Sequence, residues 1–306
     1  MKRYVLEHII QGLLALIVLT FVVFISAHAT GNPALYLVPP EHSTVDDLER
    51  AERLLGLDRP LIVQYGAFLI DAFQGDFGIS IRHARPVSEL LLERLPATAE
   101  LALTAMVISV LIGVPLGVLA AVKQDSRVDR VVQVVAVFSM SAPQFWVGIM
   151  LVTLFAGFLR WLPAFGRGDP ANLILPVITL TLYLFAGMVR LTYSSMLEVL
   201  ESDFVRFARM RGLSHWRVTW KHALKNALIP VITFTGIMLG ALLNGTIVVE
   251  QVFGWPGLGQ LTLEAVLQRD IPLLQGAVLL SGFFYIASSF LVDITYASID
   301  PRIRHR

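Results

Sequence analysis

The sequence contains no cysteine and few charged residues. Only 15% of its 306 residues are Asp, Glu, Lys or Arg, whereas soluble domains carry about 25%. The absence of cysteine excludes disulfides, cysteine-ligated zinc and a thiol nucleophile. The net charge of +1 gives no bulk electrostatic footprint for nucleic acid. With 56% hydrophobic residues and a mean hydropathy of +0.69, the composition is that of a protein whose solvent is the bilayer.

Motifs for nucleotide binding and hydrolysis are also missing. The sequence has no G-x-x-x-x-G-K-[ST], and the glycine-rich stretch 254–259 is followed by no lysine, so it indicates a tight outer turn. H-E-x-x-H is absent, and no two histidines form a close pair within an apolar segment. Ser139 and Ser141 lie in an apolar segment without an evident base, which favours a packing role. The sequence therefore predicts a protein that is not an enzyme and has no metal site.

Six apolar segments are long enough to cross a membrane as helices. A spanning helix needs roughly 20 mostly apolar residues, whereas a barrel strand needs about ten. The segments are 9–29, 98–122, 131–159, 173–197, 228–250 and 273–297. The third exceeds the required length, so we expect it to tilt or to end near Gly157. The predicted fold is an all-α membrane protein with about six transmembrane helices.

The first segment has a second interpretation as a signal peptide. Lys2 and Arg3 precede it, and Ala27-His28-Ala29 resembles a cleavage site. Its apolar run exceeds a normal signal core, which favours an uncleaved helix. If the N-terminus is inside, fifteen Lys and Arg lie on inner segments and nine on outer segments, six of the nine in the long loop 30–97. Long loops count little in the positive-inside rule, so both termini are predicted to be cytoplasmic.

Two regions between the apolar segments are too long to be plain connectors. Residues 30–97 are predicted to form a small helical periplasmic insertion, with helices at 44–55 and 61–73 and turns near Gly75 and Gly78. The second region is the inner loop 198–227. The predicted organisation is a first transmembrane helix at 1–29, the insertion at 30–97, and a five-helix core at 98–306 that contains the inner loop.

The inner loop carries acidic residues first and basic residues later. Ser202 or Asp203 can cap a helix, Gly212 can end it in a left-handed turn, and Ser214 can cap a second helix that runs from His215 toward Asn226. The pattern predicts two short helices at an angle beside the membrane. By itself it favours a basic amphipathic hairpin on anionic lipid over a docking site for a protein.

A resemblance to a known family changes this interpretation. Residues 206–212 resemble the EAA loop of ABC-importer permeases, in which Glu-Ala-Ala-x-x-x-Gly forms a coupling helix, although Arg206 and Phe207 replace the first two positions. The departures are typical of permeases for dipeptides, oligopeptides, glutathione and nickel, whose motifs resemble 208–213 and 222–230. Further matches occur in the family's order at 55–61, 75–78, 94–98, 114–117, 255–259, 269–272, 293 and 300–304.

The resemblance implies the first permease subunit of such an importer in the bacterial inner membrane. The implied partners are a homologous second permease, two ATP-binding subunits, a periplasmic substrate-binding protein and membrane lipid. ATP and Mg²⁺ would be bound by the ATP-binding subunits, and this chain would hold no cofactor. The expected ATPase-docking residues are Arg206, Phe207, Ala208, Arg209, Arg211, Gly212 and Leu213. The cargo stays open among dipeptides, oligopeptides, glutathione and nickel chelates.

Polar and small residues near the ends of the segments suggest two further roles. Those of the fifth segment indicate either close helix packing or a translocation path, and the path candidates are Gly240, Asn244, Thr246 and Glu250. Arg190 and Asp293 are expected to form a structural ion pair, because an unpaired charge in the membrane is costly. The segments have almost no ionisable residue near their middles, which disfavours the alternative of an ion-coupled secondary carrier or channel.

Overall fold

A computed structural model describes residues 2–29, 45–54, 56–243 and 246–299. These ranges are mostly helical and contain no β-strand, although Ile79 and Pro86 form an isolated antiparallel bridge. The helices are α1 (Lys2–Ala29), α2 (Val45–Leu54), α3 (Leu61–Phe73), α4 (Val87–Val122), α5 (Arg127–Ser141), α6 (Gln144–Phe158), α7 (Pro170–Leu200), α8 (Asp203–Met210), α9 (His215–Leu243), α10 (Ile247–Phe253), α11 (Leu258–Gln268) and α12 (Ile271–Ile299).

The long helices coincide with the predicted apolar segments. Among the described residues, α4, α7, α9 and α12 are long and apolar enough to cross a membrane, and the pair α5 and α6 would make a fifth span. The first helix contributes a shorter apolar stretch, Ile10–Ser26. The all-α membrane fold predicted from the sequence is confirmed.

The third apolar segment is broken, so the prediction of one continuous helix over 131–159 is wrong. α5 and α6 meet at 101°. Pro143 causes the break, because a proline ring disfavours helical backbone in the preceding residue. Ala142 is accordingly extended, with φ −84° and ψ 127°. The expected end near Gly157 is confirmed, since α6 ends at Phe158 in a π-helical segment.

The fifth apolar segment and the second inner helix form one element, α9. The helix continues from His215 through a π-helical segment, Val218–Ala223, and past Pro230 to Leu243. The expectation of a separate inner helix that stops before the membrane is therefore wrong. A proline removes one backbone hydrogen bond, and the packing of α9 along α7 and α12 compensates for that loss. At the outer end, α9 stops at Leu243, so Glu250 lies on α10 instead.

The centre of the bundle is the pair α4 and α7. Gly113 and Gly117, one helical turn apart on α4, let the two helices approach closely. A Cβ atom at Gly117 would lie 2.7 Å from the Thr192 Cβ atom of α7. The fully buried Trp255 closes the outer end of this core, where its Nε1–H donates to the Ala97 carbonyl oxygen at 2.8 Å.

A second apolar cluster fastens the inner loop to the bundle. It joins the inner ends of α4 and α7 to α8 and to the first turns of α9. Its buried members are Val118, Ala121, Met196, Val205, Val218, Ala223 and Ala227. Because residues from all four helices are buried together, α8 is held to α4 and α7 as part of one packed unit.

Candidate functional site

The inner hairpin, defined here as residues 202–223, has the predicted helix starts and the predicted turn, whereas its second helix continues beyond the predicted end. α8 follows Ser202, α9 follows Ser214, and Gly212 lies in the turn between them. Two further details differ from the prediction, and the first is that the Ser214 side chain makes no capping hydrogen bond to α9. The Ser202 hydroxyl makes no capping hydrogen bond to α8 and donates instead to the Val199 carbonyl oxygen at 2.5 Å.

Gly212 follows the C-terminus of α8 and adopts a left-handed backbone conformation. Its φ is +75°, and its N–H donates to the Arg209 carbonyl oxygen at 2.9 Å. A Cβ atom at this position would meet no atom of the chain within 4 Å. The backbone conformation therefore favours glycine here, and this chain leaves the space beside Gly212 free.

The two faces of α8 differ sharply. Val205 is fully buried, and Ala208 and Leu213 pack against the same inner cluster. On the other face Phe207 and Met210 are 62% and 71% exposed. The exposed face also carries Phe204, Arg206, Arg209 and Arg211. Large exposed apolar side chains among arginines are typical of the centre of a protein interface.

The predicted docking residues thus separate into two groups. Arg206, Phe207, Arg209, Arg211 and Gly212 are exposed, whereas Ala208 and Leu213 pack toward the chain. Sequence reasoning missed Phe204 and Met210, which lie three residues either side of Phe207 and could have been found from helical spacing. It also missed Trp216, 70% exposed, whose ring centroid lies 5.1 Å from that of Trp220.

At the opposite end of the bundle, Glu250 is completely buried. Its Oε1 accepts hydrogen bonds from Thr98 Oγ1 at 2.8 Å and Thr246 Oγ1 at 3.4 Å. Its Oε2 accepts from the Gln260 N–H at 2.9 Å. Thr98 Oγ1 in turn accepts from the Leu258 N–H at 2.8 Å. We call this set the Glu250 network; it places a carboxylate at the N-terminus of α11, where free N–H groups favour negative charge.

The glycine-rich turn 254–259 encloses this carboxylate. A Cβ atom at Gly257 would collide with the Glu250 carboxyl group, and one at Gly259 would lie 2.8 Å from the Ile247 Cα atom. Burial raises the pKa of Glu250, which lies outside the long spanning helices, while hydrogen bonds from Gln260 and Thr98 oppose that rise. The predicted tight turn is confirmed, and its glycines make room for a buried acidic side chain.

The predicted translocation-path residues make contacts within this chain. Gly240 is buried against α12, where a Cβ atom would lie 2.9 Å from the Ser288 Cβ atom. Thr246 and Glu250 belong to the Glu250 network. Asn244 lies outside the described residues. The path stays a prediction, and the contacts of Gly240 support the packing alternative at that position.

The predicted ion pair also stays a prediction. Arg190 is exposed on α7, and its Nη1 lies 3.5 Å from the sulfur of Met140. Asp293 belongs to α12, but its side chain is outside the described part of the chain. The described contacts of Arg190 therefore place it beside α5.

Asp270 joins the segment predicted as a periplasmic insertion to the loop before α12. Its buried carboxylate accepts hydrogen bonds from Ser80 Oγ at 2.5 Å, the Arg82 N–H at 3.1 Å and the Leu273 N–H at 3.3 Å. Arg82 Nε also donates to the Gln268 carbonyl oxygen at 3.2 Å. Sequence reasoning placed Asp270 in a family motif but missed this contact. Its position directly before α12 is the signal of a helix N-cap.

We expect Asp270→Ala to release residues 80–82 from the last outer loop. Removal of the carboxylate leaves buried hydrogen-bond donors without an acceptor, which costs about 1–3 kcal/mol for each group. Trypsin cleavage after Arg82 should become at least roughly fivefold faster, the factor that corresponds to about 1 kcal/mol. Asp58→Ala, which removes an exposed carboxylate, is the matched control. Equal cleavage of the two variants would contradict the assigned role of Asp270.

The arrangement of the helices matches solved membrane transporters. A chain of the inward-facing MetNI methionine ABC transporter superposes with a TM-score of 0.60 over 69% of this chain and 96% of its own length, at 17% identity. A second crystal form of the same transporter gives a TM-score of 0.59 at 19% identity. At such low identity the likeness shows the fold, which is that of an ABC-transporter membrane subunit.

Sequence comparison then defines the family. The family described as "Binding-protein-dependent transport system inner membrane component" matches residues 113–305, and its N-terminal counterpart matches residues 1–102. Two relatives are each 38% identical over the full length of both chains. One is a Brucella abortus protein named as a peptide transport system permease, aligned over 314 residues. The other is the glutathione transport system permease protein GsiC of Escherichia coli K12, aligned over 307 residues.

The chain therefore belongs to the family of binding-protein-dependent transport system inner membrane components, as a permease subunit of an ABC importer. The resemblance found in the sequence and the predicted inner-membrane location are both confirmed. The relatives are transport permeases, in agreement with the missing hydrolytic motifs.

Proposed function

We propose that this permease carries short peptides, including tripeptides of the size of glutathione. The observation that supports this cargo is the 38% identity, over the whole chain, to relatives named for peptide and glutathione transport. Both cargoes share peptide-bond chemistry. Nickel chelates, which the sequence motifs also leave open, stay a prediction.

The proposed complex contains this chain, a homologous second permease, two ATP-binding subunits and a periplasmic substrate-binding protein. Membership of a binding-protein-dependent importer family supports this composition. ATP and Mg²⁺ are assigned to the ATP-binding subunits, and this chain carries out no covalent chemistry. Its contribution is half of the translocation path and one docking surface for an ATP-binding subunit.

The docking surface is assigned to the exposed face of α8. Phe207 and Met210 provide exposed apolar area, and Arg206, Arg209 and Arg211 provide positive charge that suits an acidic partner. The opposite face of α8 is fixed in the bundle through Val205. A displacement of the partner would therefore move α4 and α7 together with α8 as a rigid body.

The same face of α8 would suit a membrane surface, which is the competing role. Arginines beside exposed aromatic residues bind anionic lipid as well as proteins. Docking is favoured because an ABC importer must transmit the closure of its ATP-binding subunits to the permease, and α8 combines an exposed apolar face with a buried mechanical attachment.

Uptake into proteoliposomes tests the proposed function. The complex, reconstituted with its ATP-binding subunits, second permease and binding protein, should accumulate radiolabelled glutathione and trialanine. Uptake should require ATP on the side of the ATP-binding subunits and should stop when vanadate is added. Uptake driven by an ion gradient without ATP would favour the secondary carrier. ATP-dependent uptake of a nickel chelate but of neither peptide would overturn the proposed cargo.

A further inference from the structure

The helix α3 of the periplasmic insertion exposes an unusually apolar surface. It spans Leu61–Phe73, and none of its residues is buried. Ile62 is 75% exposed and Phe73 is 72% exposed, with Leu61, Val63 and Ile70 also exposed. A water-facing helix of this length would present polar side chains over that surface. The exposed apolar side chains of α3 therefore indicate an apolar environment.

Two polar side chains of α3, those of Gln64 and Tyr65, contact α1. Tyr65 donates a hydrogen bond from its hydroxyl to the Ile17 carbonyl oxygen at 3.1 Å, and its oxygen lies 3.0 Å from Thr20 Oγ1. The Phe24 ring of α1 lies 5.4 Å from the Tyr65 ring and 5.8 Å from the Phe68 ring, measured between centroids. The helix α3 is thus packed on the side of α1.

These contacts determine the depth of α3 in the membrane. Thr20 and Ile17 lie six and nine residues before Ser26, the outer end of the apolar stretch Ile10–Ser26 of α1. At a rise of 1.5 Å per residue these separations are about 9 and 14 Å along the helix. Half of the hydrocarbon core is about 15 Å thick. With the N-terminus inside, the Tyr65 hydroxyl therefore lies within the outer half of the hydrocarbon core.

Gln64 and His28, which also lie between the two helices, have hydrogen-bond partners within the chain. Gln64 Nε2 donates to the carbonyl oxygens of Leu57 at 3.1 Å and Arg59 at 2.8 Å, and Gln64 Oε1 lies 2.9 Å from His28 Nε2. His28 Nδ1 lies 2.9 Å from the Phe24 carbonyl oxygen. Such internal pairing of these side chains is what a helix needs where no water is available.

We infer that α3 is embedded in the outer leaflet as an interfacial helix, with lipid acyl chains covering Ile62, Ile70 and Phe73. This surface continues the exposed apolar side of α1, where Val18, Phe21 and Val22 are at least half exposed. Asp71 and Gln74, the polar residues at the end of α3, mark the boundary with the lipid headgroups. Part of the segment predicted as a periplasmic insertion is accordingly a membrane anchor.

Single-cysteine labelling tests this placement, because the chain has no native cysteine. Ile62→Cys and Ile70→Cys probe α3, and Arg50→Cys, whose native side chain is 74% exposed on α2, is the control. Each variant is assembled into the full complex in lipid nanodiscs. A membrane-impermeant maleimide should react at least about tenfold more slowly at positions 62 and 70 than at position 50, as partition of an apolar side chain into lipid implies.

Nitroxide labels at the same positions identify what covers α3. Labels at positions 62 and 70 should collide more often with oxygen, which dissolves in lipid, than with a water-soluble paramagnetic nickel reagent. The order should reverse at position 50. Frequent collision with the nickel reagent at positions 62 and 70 would show that α3 is water-facing. Rare collision with both reagents would show that a protein covers α3. Either result overturns the inference and leaves the proposed transport function untouched.

Discussion

Gly212→Trp is expected to abolish substrate-stimulated ATP hydrolysis by the assembled importer while the chain stays in the membrane. The change has two effects at the turn of the inner hairpin. It forces a side chain onto a backbone with φ +75°, at about 1–2 kcal/mol. It also fills the space that the chain leaves free beside the exposed face of α8. A loss of at least about tenfold corresponds to about 1.4 kcal/mol of lost interaction with the ATP-binding subunit.

Two further variants separate these effects. Gly212→Ala imposes the backbone strain with little bulk, so we expect it to reduce stimulated hydrolysis less than Gly212→Trp does. Gly75→Trp is the matched control, since Gly75 has φ +78° and likewise has no neighbour within 4 Å of a Cβ atom. It should insert normally and retain stimulation. Full activity of Gly212→Trp would rule out docking at this turn and leave lipid contact as the role of the hairpin.

Glu250→Ala is expected to lower the free energy of unfolding by about 3 kcal/mol or more. The substitution leaves the Gln260 N–H and the Thr98 hydroxyl without their acceptor, at about 1–3 kcal/mol each, and it opens a cavity beneath the turn 254–259. Unfolding in detergent can be followed by tryptophan fluorescence, because Trp255 is buried and its N–H donates to the Ala97 carbonyl oxygen.

A graded series makes the Glu250 prediction specific to hydrogen bonding. Glu250→Gln keeps the side-chain volume and one acceptor oxygen. Its free energy of unfolding should therefore lie between those of the unmodified chain and of Glu250→Ala. Glu198→Ala removes an exposed carboxylate from α7 and should change the stability by less than about 0.5 kcal/mol. If Glu250→Ala behaves like Glu198→Ala, the network contributes nothing to stability and the turn is held by its apolar contacts alone.

Local chemistry allowed the inner hairpin to be predicted from the sequence. Gly212 and Ser214 mark the end of one helix and the start of the next, because their conformational preferences act over a few residues. The break at Pro143 could also have been predicted, since the residue before a proline avoids helical backbone. It was missed because the segment was assigned by length and hydropathy, which carry no information on changes in the direction of the helix axis.

Contacts between distant residues could not be predicted in the same way. Thr98 and Glu250 are separated by 152 positions, and Ser80 and Asp270 by 190. Glu250 lies near the end of an apolar segment in the sequence, which suggested a helix end in contact with cargo, with the binding protein or with solvent. The structure shows a buried carboxylate whose two oxygens both accept hydrogen bonds from within the chain. Only the packing of the outer turn against α4 distinguishes these two environments.

The helix α4 connects the inner apolar cluster that holds α8 to the Glu250 network at the opposite end of the bundle. Val118 belongs to the inner cluster that holds α8, and Thr98 donates to Glu250 at the outer end. The two residues are twenty positions apart, or about 30 Å along the helix. A tilt of about 5° over that length displaces one end by roughly 3 Å, as much as a hydrogen bond is long. If α4 tilted by this amount while α10 stayed in place, the displacement would be large enough to break the Thr98–Glu250 hydrogen bond.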